Sequence, residues 1–398
     1  MDRNTFVEIN LNNIDNNVKN IIKENSDYKY YIGVVKGYGY GHGTYIINQL
    51  INSGINYLAV SSLKEATNIR KYNKDIPVLC LEPINLKYID EIINNNITIT
   101  ISSYTYLEEL LKLKINKKLK IHLKVNTGMN RLGFKSKEQI KKSYDLINKN
   151  FELEGIYTHL VTTGISDPYY DRQINKFNEL TSLIDLAKIK IVHIGRSITV
   201  LTHPKIKNTN GIRLGISMYG YNLVPKIDSS LKGKLKQIKA NLRIKKYNIS
   251  KTIDKSNIIL KPSFSLYSEV IEIQDVNKNE FVGYGISYKA SENIKVAVIP
   301  LGYSDGIPRS YTGSYVYIKN KKYQIIGSIN MGMITIKVDE NINIGDKVEI
   351  LGEHINIKAA ASKLNTTVYE IMCMIHENVP RVYKKDNETI HIEYWEVK

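Results

Sequence analysis

The chain of 398 residues, 42% hydrophobic and 24% charged, has ordinary globular composition and length for a large domain beside a smaller one. Its apolar runs fall far short of a membrane span, no apolar stretch follows the N-terminal charges, and two cysteines cannot build a disulfide framework, which together predict a cytoplasmic protein without membrane contact. The formal charge of +17 raises nucleic acid as a partner, yet only nine of the 56 basic residues are arginine, whose fork reads bases and phosphates, so none is expected.

From about residue 30, short β-branched runs alternate with amphipathic stretches. Runs at 31–35, 57–61, 76–81, 97–101, 119–125, 153–159, 189–194 and 212–218 predict eight strands. Helical periodicity falls between them, at 45–51, 63–72, 106–113, 137–147 and 171–187; in the first of these Ile46, Ile47, Leu50 and Ile51 share a face and Gly54 marks the stop. Eight such repeats predict an α/β fold, a (β/α)8 TIM barrel over residues 10–230, rather than a doubly wound sheet. The passage 231–256 matches neither pattern. It holds nine Lys/Arg and one acid, Asp254, and reads as a basic insertion or linker. Beyond it, strands at 265–273, 295–299, 315–318, 323–326, 333–338 and 347–351 follow one another without helices, closing on short helices near 359–364 and 368–377. They predict a mostly β C-terminal domain over 257–398, joined by an N-terminal strand within 1–9.

Four segments carry candidate chemistry. In the first, 34–43, Lys36 leaves the first barrel strand at its C-terminal end, where barrel active sites are built, and glycines follow at every second residue. That spacing is not a dinucleotide fingerprint. A lysine leaving an apolar strand loses hydration and suits Schiff-base chemistry; the alternative is a solvated lysine on a glycine turn. In the second, 122–134, Lys124 lies in a strand that feeds a loop with a scarce arginine, Arg131. The third, 211–220, holds Arg213 on the last barrel strand; Ser197, Gly215 and Ile216 stand where barrel loops cradle phosphate through backbone N–H groups. The fourth, 281–288 and 300–309, holds Tyr284, Tyr303 and Asp305. No Cys/His spacing suggests zinc, His42 and His193 read as packing or supporting histidines, and Cys373 reads as small apolar packing.

Together these segments resemble the alanine racemase family, pyridoxal-phosphate enzymes of fold type III. The resemblance rests on Val-Lys-x-x-x-Tyr-Gly-His-Gly at 35–43, Thr-Gly-Met-Asn-Arg-Leu-Gly-Phe at 127–134, Gly-Tyr-x-Asp-Gly-x-x-Arg at 302–309 and Val-Pro-Arg-Val-Tyr at 379–383. It implies a homodimeric isomerase that interconverts L- and D-alanine with two bases and feeds D-alanine to peptidoglycan synthesis. Lys36 resembles the lysine that holds the cofactor and acts as one base; Tyr284 resembles the opposite base, reaching the partner subunit's site. His159 and Arg213 match the pair that supports that tyrosine, and Arg213 also matches the arginine facing the pyridine nitrogen. Arg131 resembles the arginine near the phenolic oxygen, and Lys124 the carbamylated lysine that steers it. Tyr40 and Tyr369 match phosphate-contacting tyrosines, beside Ser197, Gly215 and Ile216. Tyr303 and Met331 match positions lining the substrate entrance.

Three residues depart from the family pattern. Gly332 replaces an aspartate, Arg196 an asparagine, and Gly164 an acid. These departures predict looser specificity, admitting serine or a larger amino acid beside alanine, whereas the retained Tyr369 favours alanine. A decarboxylase of the same fold type and a non-catalytic cofactor carrier are the competing functions.

Overall fold

The computed structural model describes residues 4–394 except 114, 116, 117, 166, 225–230, 248, 250, 251, 254 and 256. Asp254 and Lys251 of the basic passage therefore lie outside the described residues, as do positions 1–3 of the expected first strand. The chain forms two compact units, one of Asn13–Lys36 and Ile47–Pro262, the other of Met1–Asn12, Gly37–Ile46 and Ser263–Lys398. Their bounds differ from the expected ones by a few residues at 10–12 and 257–262 and more widely in two stretches. Residues 37–46 group with the β unit, and the basic passage groups with the barrel.

The first strand, β1 (Phe6–Asn10), belongs to the β unit. The barrel strands follow in order: β2 (Tyr30–Val34), β3 (Tyr57–Val60), β4 (Val78–Cys80), β5 (Ile97–Ile101), β6 (Lys120–Lys124), β7 (Glu152–Tyr157), β8 (Ile191–His193) and β9 (Gly211–Leu214). All pair in parallel, and β9 returns to β2, closing an eight-stranded barrel as expected. β5, Ile-Thr-Ile-Thr-Ile, is buried throughout, and its Thr100 hydroxyl is satisfied by donating to the Cys80 carbonyl at 2.7 Å. Serines start the outer helices: Ser62, Ser103 and Ser136 accept the amides of Glu65, Tyr106 and Gln139, and Glu65 returns the bond to complete a capping box. The eighth strand stops at Leu214, short of the expected 218, because Gly215 opens a turn closed by the Met218 amide. The last expected helix also stops early, at Leu180, where the Thr181 hydroxyl caps the Phe177 carbonyl at 2.8 Å. In the basic passage, which matched neither pattern in the sequence, residues Leu231–Tyr247 form a helix.

The β unit continues with β10 (Phe264–Glu269), β11 (Glu272–Val276), β12 (Phe281–Val282), β13 (Tyr288–Lys289), β14 (Ile294–Ile299) and β15 (Tyr315–Ile318). It closes with β16 (Lys321–Ile326), β17 (Ile334–Val338), β18 (Lys347–Leu351), β19 (Arg381–Lys385) and β20 (Glu388–Glu393). One ten-stranded sheet runs β11-β14-β17-β16-β15-β18-β10-β1-β19-β20, and β12 pairs with β13 in a separate hairpin. The single strand expected over 265–273 breaks at Val270, whose amide bonds Asp346, while the next amide, of Ile271, bonds Val298; the chain changes partner there.

The alternating glycines after Lys36 have a backbone reason. Gly37, Tyr38, Gly39, Tyr40 and Gly41 all have φ between 54° and 79°, a left-handed turn closed by Gly41 N to Gly37 O at 3.0 Å. Left-handed backbone costs an ordinary residue roughly 1–2 kcal/mol, so glycine at every second position limits the strain to two tyrosines. Gly41 and Gly43 are also sterically fixed, since a Cβ would meet the Met372 carbonyl oxygen at 2.1 Å and the Tyr383 hydroxyl at 1.8 Å.

Candidate active site

In the barrel unit, Lys36, Lys124, His159, Ser197 and Gly215 all follow or close the C-terminal ends of strands, the end where barrel sites are assembled. The loop after β6 folds back on itself: Asn126 Oδ1 accepts the amides of Gly128 and Asn130, and the Phe134 amide bonds the Lys124 carbonyl at 3.0 Å. That fold carries Arg131 toward the barrel mouth, where its charge acts on Lys124 and His159. Burial first, then Arg213 and Arg131, pushes the Lys124 ammonium down to about 8. Burial likewise lowers His159 to about 2, helped by Arg213, Arg196, Arg131 and Lys124, so its imidazole is neutral at physiological pH. The mouth therefore concentrates positive charge around Lys36 and suits an anion.

Arg213 is buried, and its terminal nitrogens are occupied. Nη1 donates to His193 Nδ1 at 2.7 Å and the His193 carbonyl at 3.0 Å; Nη2 donates to the Thr158 and Ile194 carbonyls at 2.7 and 3.0 Å and approaches His159 Nδ1 at 3.4 Å. The Nε–H is left without an acceptor among the described residues. Next to it, Ser197 Oγ accepts the Gly215 amide at 2.9 Å and so ties the loops after β8 and β9 together. The buried Ile216 amide has no acceptor among the described residues.

Behind Arg213 a line of polar side chains fills the barrel interior. An arginine only donates, so His193 Nδ1 must accept, and its Nε2–H must donate to His122 Nδ1 at 2.9 Å. His122 then carries its proton on Nε2, which faces Glu154 at 3.6 Å, an electrostatic contact rather than a hydrogen bond. Glu154 also accepts from the Tyr57 hydroxyl at 2.7 Å and Lys190 Nζ at 2.8 Å. Two neutral histidines thus link the buried arginine to a buried carboxylate. Burial alone would raise the Glu154 carboxyl, but its contacts with His122, Lys190 and Tyr57 hold it well below the usual range. Sequence reasoning missed this line. His122 and Glu154 were visible in strands, but β7 carries an irregularity opposite His122, where a Cβ on Gly155 would meet the His122 ring at 2.5 Å. The extra residue there is Glu154, so simple alternation gives no warning that it faces inward.

Glu154→Ala is expected to cost about 3–5 kcal/mol, because it strips the buried donors of their acceptor; Glu154→Gln, which keeps one acceptor oxygen, about 1–2 kcal/mol. A carboxylate lowered in the folded state contributes stability above its unfolded pKa of about 4.3 and loses it as pH falls through the folded value. Urea titrations should therefore show the gap between wild type and Glu154→Gln shrinking as pH drops below about 4.3.

In the β unit three loops come together. The Ser328 hydroxyl bonds the Tyr284 carbonyl at 3.3 Å, the Tyr303 amide bonds Asn330 O at 3.1 Å, and the Ser304 amide bonds Met331 O at 2.9 Å. Tyr284, Tyr303 and Met331 are thus gathered on one edge, exposed by 75%, 45% and 62%. Buried Asp305 holds its loop by accepting the Gly302 amide at 2.8 Å. Elsewhere in the unit, Tyr40 and Tyr369 place their rings 5.8 Å apart. Two further outcomes concern single residues. Cys373 is exposed rather than packed. His42 is buried in a supporting role, bonding Ser263 Oγ at 3.0 Å through Nε2 and the Gly39 carbonyl at 3.1 Å through Nδ1.

Comparison with known families decides what this arrangement belongs to. The alanine racemase N-terminal domain matches residues 9–223, and the alanine racemase C-terminal domain matches 263–383. The chain belongs to the alanine racemase family. Among its relatives is an alanine racemase of Halalkalibacterium halodurans, 33% identical and covering 98% of each chain. The crystal structure of alanine racemase from Bacillus anthracis with bound L-Ala-P superposes with a TM-score of 0.84 at 28% identity over 98% of each chain. A histidine racemase from Leuconostoc mesenteroides shares the fold, with a TM-score of 0.80 at 23% identity over 96% of this chain and 98% of that one. The expected family, fold class and racemase type are all met. The passage between the two matched domains, 224–262, contains the basic helix.

Proposed function

We propose that the chain racemises alanine as a pyridoxal-phosphate-dependent homodimer in the cytoplasm, supplying D-alanine. The observation that carries this is the barrel mouth itself, where the charges of Lys36, Arg131 and Arg213 all act on Lys124 and where the Arg213 Nε–H has no acceptor among the described residues. The residues present fit the cofactor: among the described residues neither the Ile216 amide nor the Arg213 Nε–H has an acceptor, and the clustered positive charge suits a phosphate and a phenolate. When bound, the cofactor supplies an electron sink for the charge left at the substrate Cα. Lys36 holds it covalently through Nζ and, once released, moves the Cα proton on one face. Tyr284 of the partner subunit moves it on the other, its phenolic oxygen supported by His159 and Arg213. Ser197, Gly215 and Ile216 cradle the phosphate. Tyr40 and Tyr369 match the family's phosphate-contacting tyrosines. Arg213 donates to the ring nitrogen through a guanidinium lowered by burial only to about 10, so it does not hand its proton over. Arg131 faces the phenolic oxygen, and Lys124, whose lowered pKa keeps part of it as the free amine that reacts with carbon dioxide, steers Arg131 as a carbamate.

Exposure of Tyr284, Ile286, Tyr303 and Met331 on one chain supports the dimer, because a second subunit would cover them. Purified protein loaded with pyridoxal phosphate should convert L-alanine to an equal mixture of enantiomers. Release of labelled carbon dioxide instead would establish a decarboxylase.

A second reading, broader specificity, keeps one structural support. Of the three departures, Gly164 has φ +75° and lies where a Cβ would meet Tyr170 and His203 within 2.8 Å, so packing explains it. Arg196 turns its Nη2 to the Thr162 carbonyl at 2.8 Å. Only Gly332 has open space around its Cβ position. Gly332→Asp should fold normally and raise the kcat/KM ratio of alanine over serine by about 10-fold, worth roughly 1.4 kcal/mol of discrimination, in steady-state assays on both amino acids.

A further inference from the structure

The helix Leu231–Tyr247 lies in the stretch that neither matched family domain covers, and it carries an unusual outer face. Its sequence repeats leucine or isoleucine at 231, 235, 238 and 242. With about 3.6 residues per turn, those four positions fall within roughly 60° of one another. Leu235, Ile238 and Leu242 are 59%, 55% and 62% exposed, so this apolar stripe faces water instead of the protein. Ala240 and Ile244, from the opposite side of the helix, are half-buried. Seven lysines and arginines, at 232, 234, 236, 239, 243, 245 and 246, accompany the stripe, and no acidic residue occurs anywhere in the helix. By the same helical period, Lys239 and Lys246 lie on one flank of the stripe and Lys245 on the other. Lys239, Lys245 and Lys246 are exposed. The chain beyond the helix is tied back to the barrel, with Ile249 and Ile258 buried and the Ile253 amide bonding the Thr202 carbonyl at 2.8 Å.

We propose that this helix docks the protein on an anionic phospholipid bilayer, lying in the plane of the surface with the leucine stripe in the headgroup boundary. A narrow apolar stripe between rows of lysine matches a surface that is apolar within and negative at its rim. Charge disfavours the other occupants. A second copy of this face would bring lysines against lysines, and a nucleic acid would use the lysines but have no use for exposed leucines. The proposal replaces the expectation of no membrane contact, and it requires no spanning segment: among the described residues no helix is long and apolar enough to cross a membrane. It stands independently of the reaction at the barrel mouth.

Sedimentation of the full-length holoenzyme with phosphatidylcholine vesicles, with and without added phosphatidylglycerol, tests it. At least about 10-fold more protein should sediment with the anionic vesicles, and about 1 M salt should release it. The variant with Leu235→Ser, Ile238→Ser and Leu242→Ser should fall to the level seen with phosphatidylcholine alone, with unchanged circular dichroism and racemase activity. Lys239→Glu combined with Lys245→Glu and Lys246→Glu should do the same. Equal binding to both vesicle types overturns the proposal. So does undiminished binding of the serine variant, which would reduce the effect to net charge, or a change in its oligomeric mass by light scattering, which would place the stripe between two copies.

Discussion

Lys36→Ala is expected to lower racemisation of alanine by about 10⁴-fold or more, the largest single effect in the molecule. The residue closes β2 at the cation-rich end of the barrel, and its charge is among those acting on Lys124. Its removal takes away both the covalent anchor for the cofactor and one of the two proton carriers. Tyr284→Phe separates these roles. It should leave covalent cofactor binding intact, visible as pyridoxyl absorbance that stays with the denatured protein after borohydride reduction in this variant but not in Lys36→Ala, while lowering turnover by about 10²–10⁴-fold. If Lys36→Ala kept more than about a hundredth of wild-type activity, Lys36 would not be the acting lysine.

The second large effect is on stability. Arg381 belongs to a C-terminal segment that also marks the family, yet its surroundings give it a scaffolding task. It is fully buried and donates to four backbone carbonyls: Gly41 at 3.1 Å, His376 at 2.5 Å, Val379 at 2.6 Å and Ile375 at 2.8 Å. It also lies 5.0 Å from the Tyr38 ring centroid. One side chain therefore fastens the left-handed turn to the end of the sheet. Arg381→Ala takes the arginine's donors from the Gly41, Ile375 and Val379 carbonyls and leaves the His376 carbonyl only the Val379 amide, which should cost about 3–5 kcal/mol, read as a lower urea midpoint. Arg381→Lys should recover only part of the loss, since an ammonium has three N–H donors and no planar fork. Equal midpoints for all three proteins would show that water replaces the arginine without penalty.

Much of the architecture was legible because buried barrel strands are rich in β-branched residues, as the alternating Ile and Thr of β5 are. Boundaries were less visible where a single residue ends an element, such as Gly215 after β9 or Thr181 after its helix. Lys36, Arg131 and Arg213 could be picked out because ionisable residues at strand ends or in glycine loops contrast with their apolar neighbours. The line from Arg213 to Glu154 was hidden for the opposite reason. His122 and Glu154 sit inside strands, and their common direction depends on the irregularity at Gly155, which sequence periodicity does not express. The roles of Asp305 and Arg381 were hidden as well; both appear in motifs that mark the family, and both hold loops through backbone groups. The basic passage gave its charge from composition, but its orientation required the structure. Charge dominates the helix sequence, and only exposure reveals that the apolar stripe points outward.

The central claim is that two groups on opposite faces of Cα exchange its proton. Following L-alanine in deuterium oxide tests it most directly, with the enantiomers separated and their Cα isotope read by mass spectrometry in the first turnovers. The account predicts that the D-alanine formed carries deuterium at Cα from the outset, because the proton removed by one group is not the one returned by the other. D-alanine that retains the original proton would show a single group carrying it across, and would contradict the assignment of Lys36 and Tyr284 as a pair.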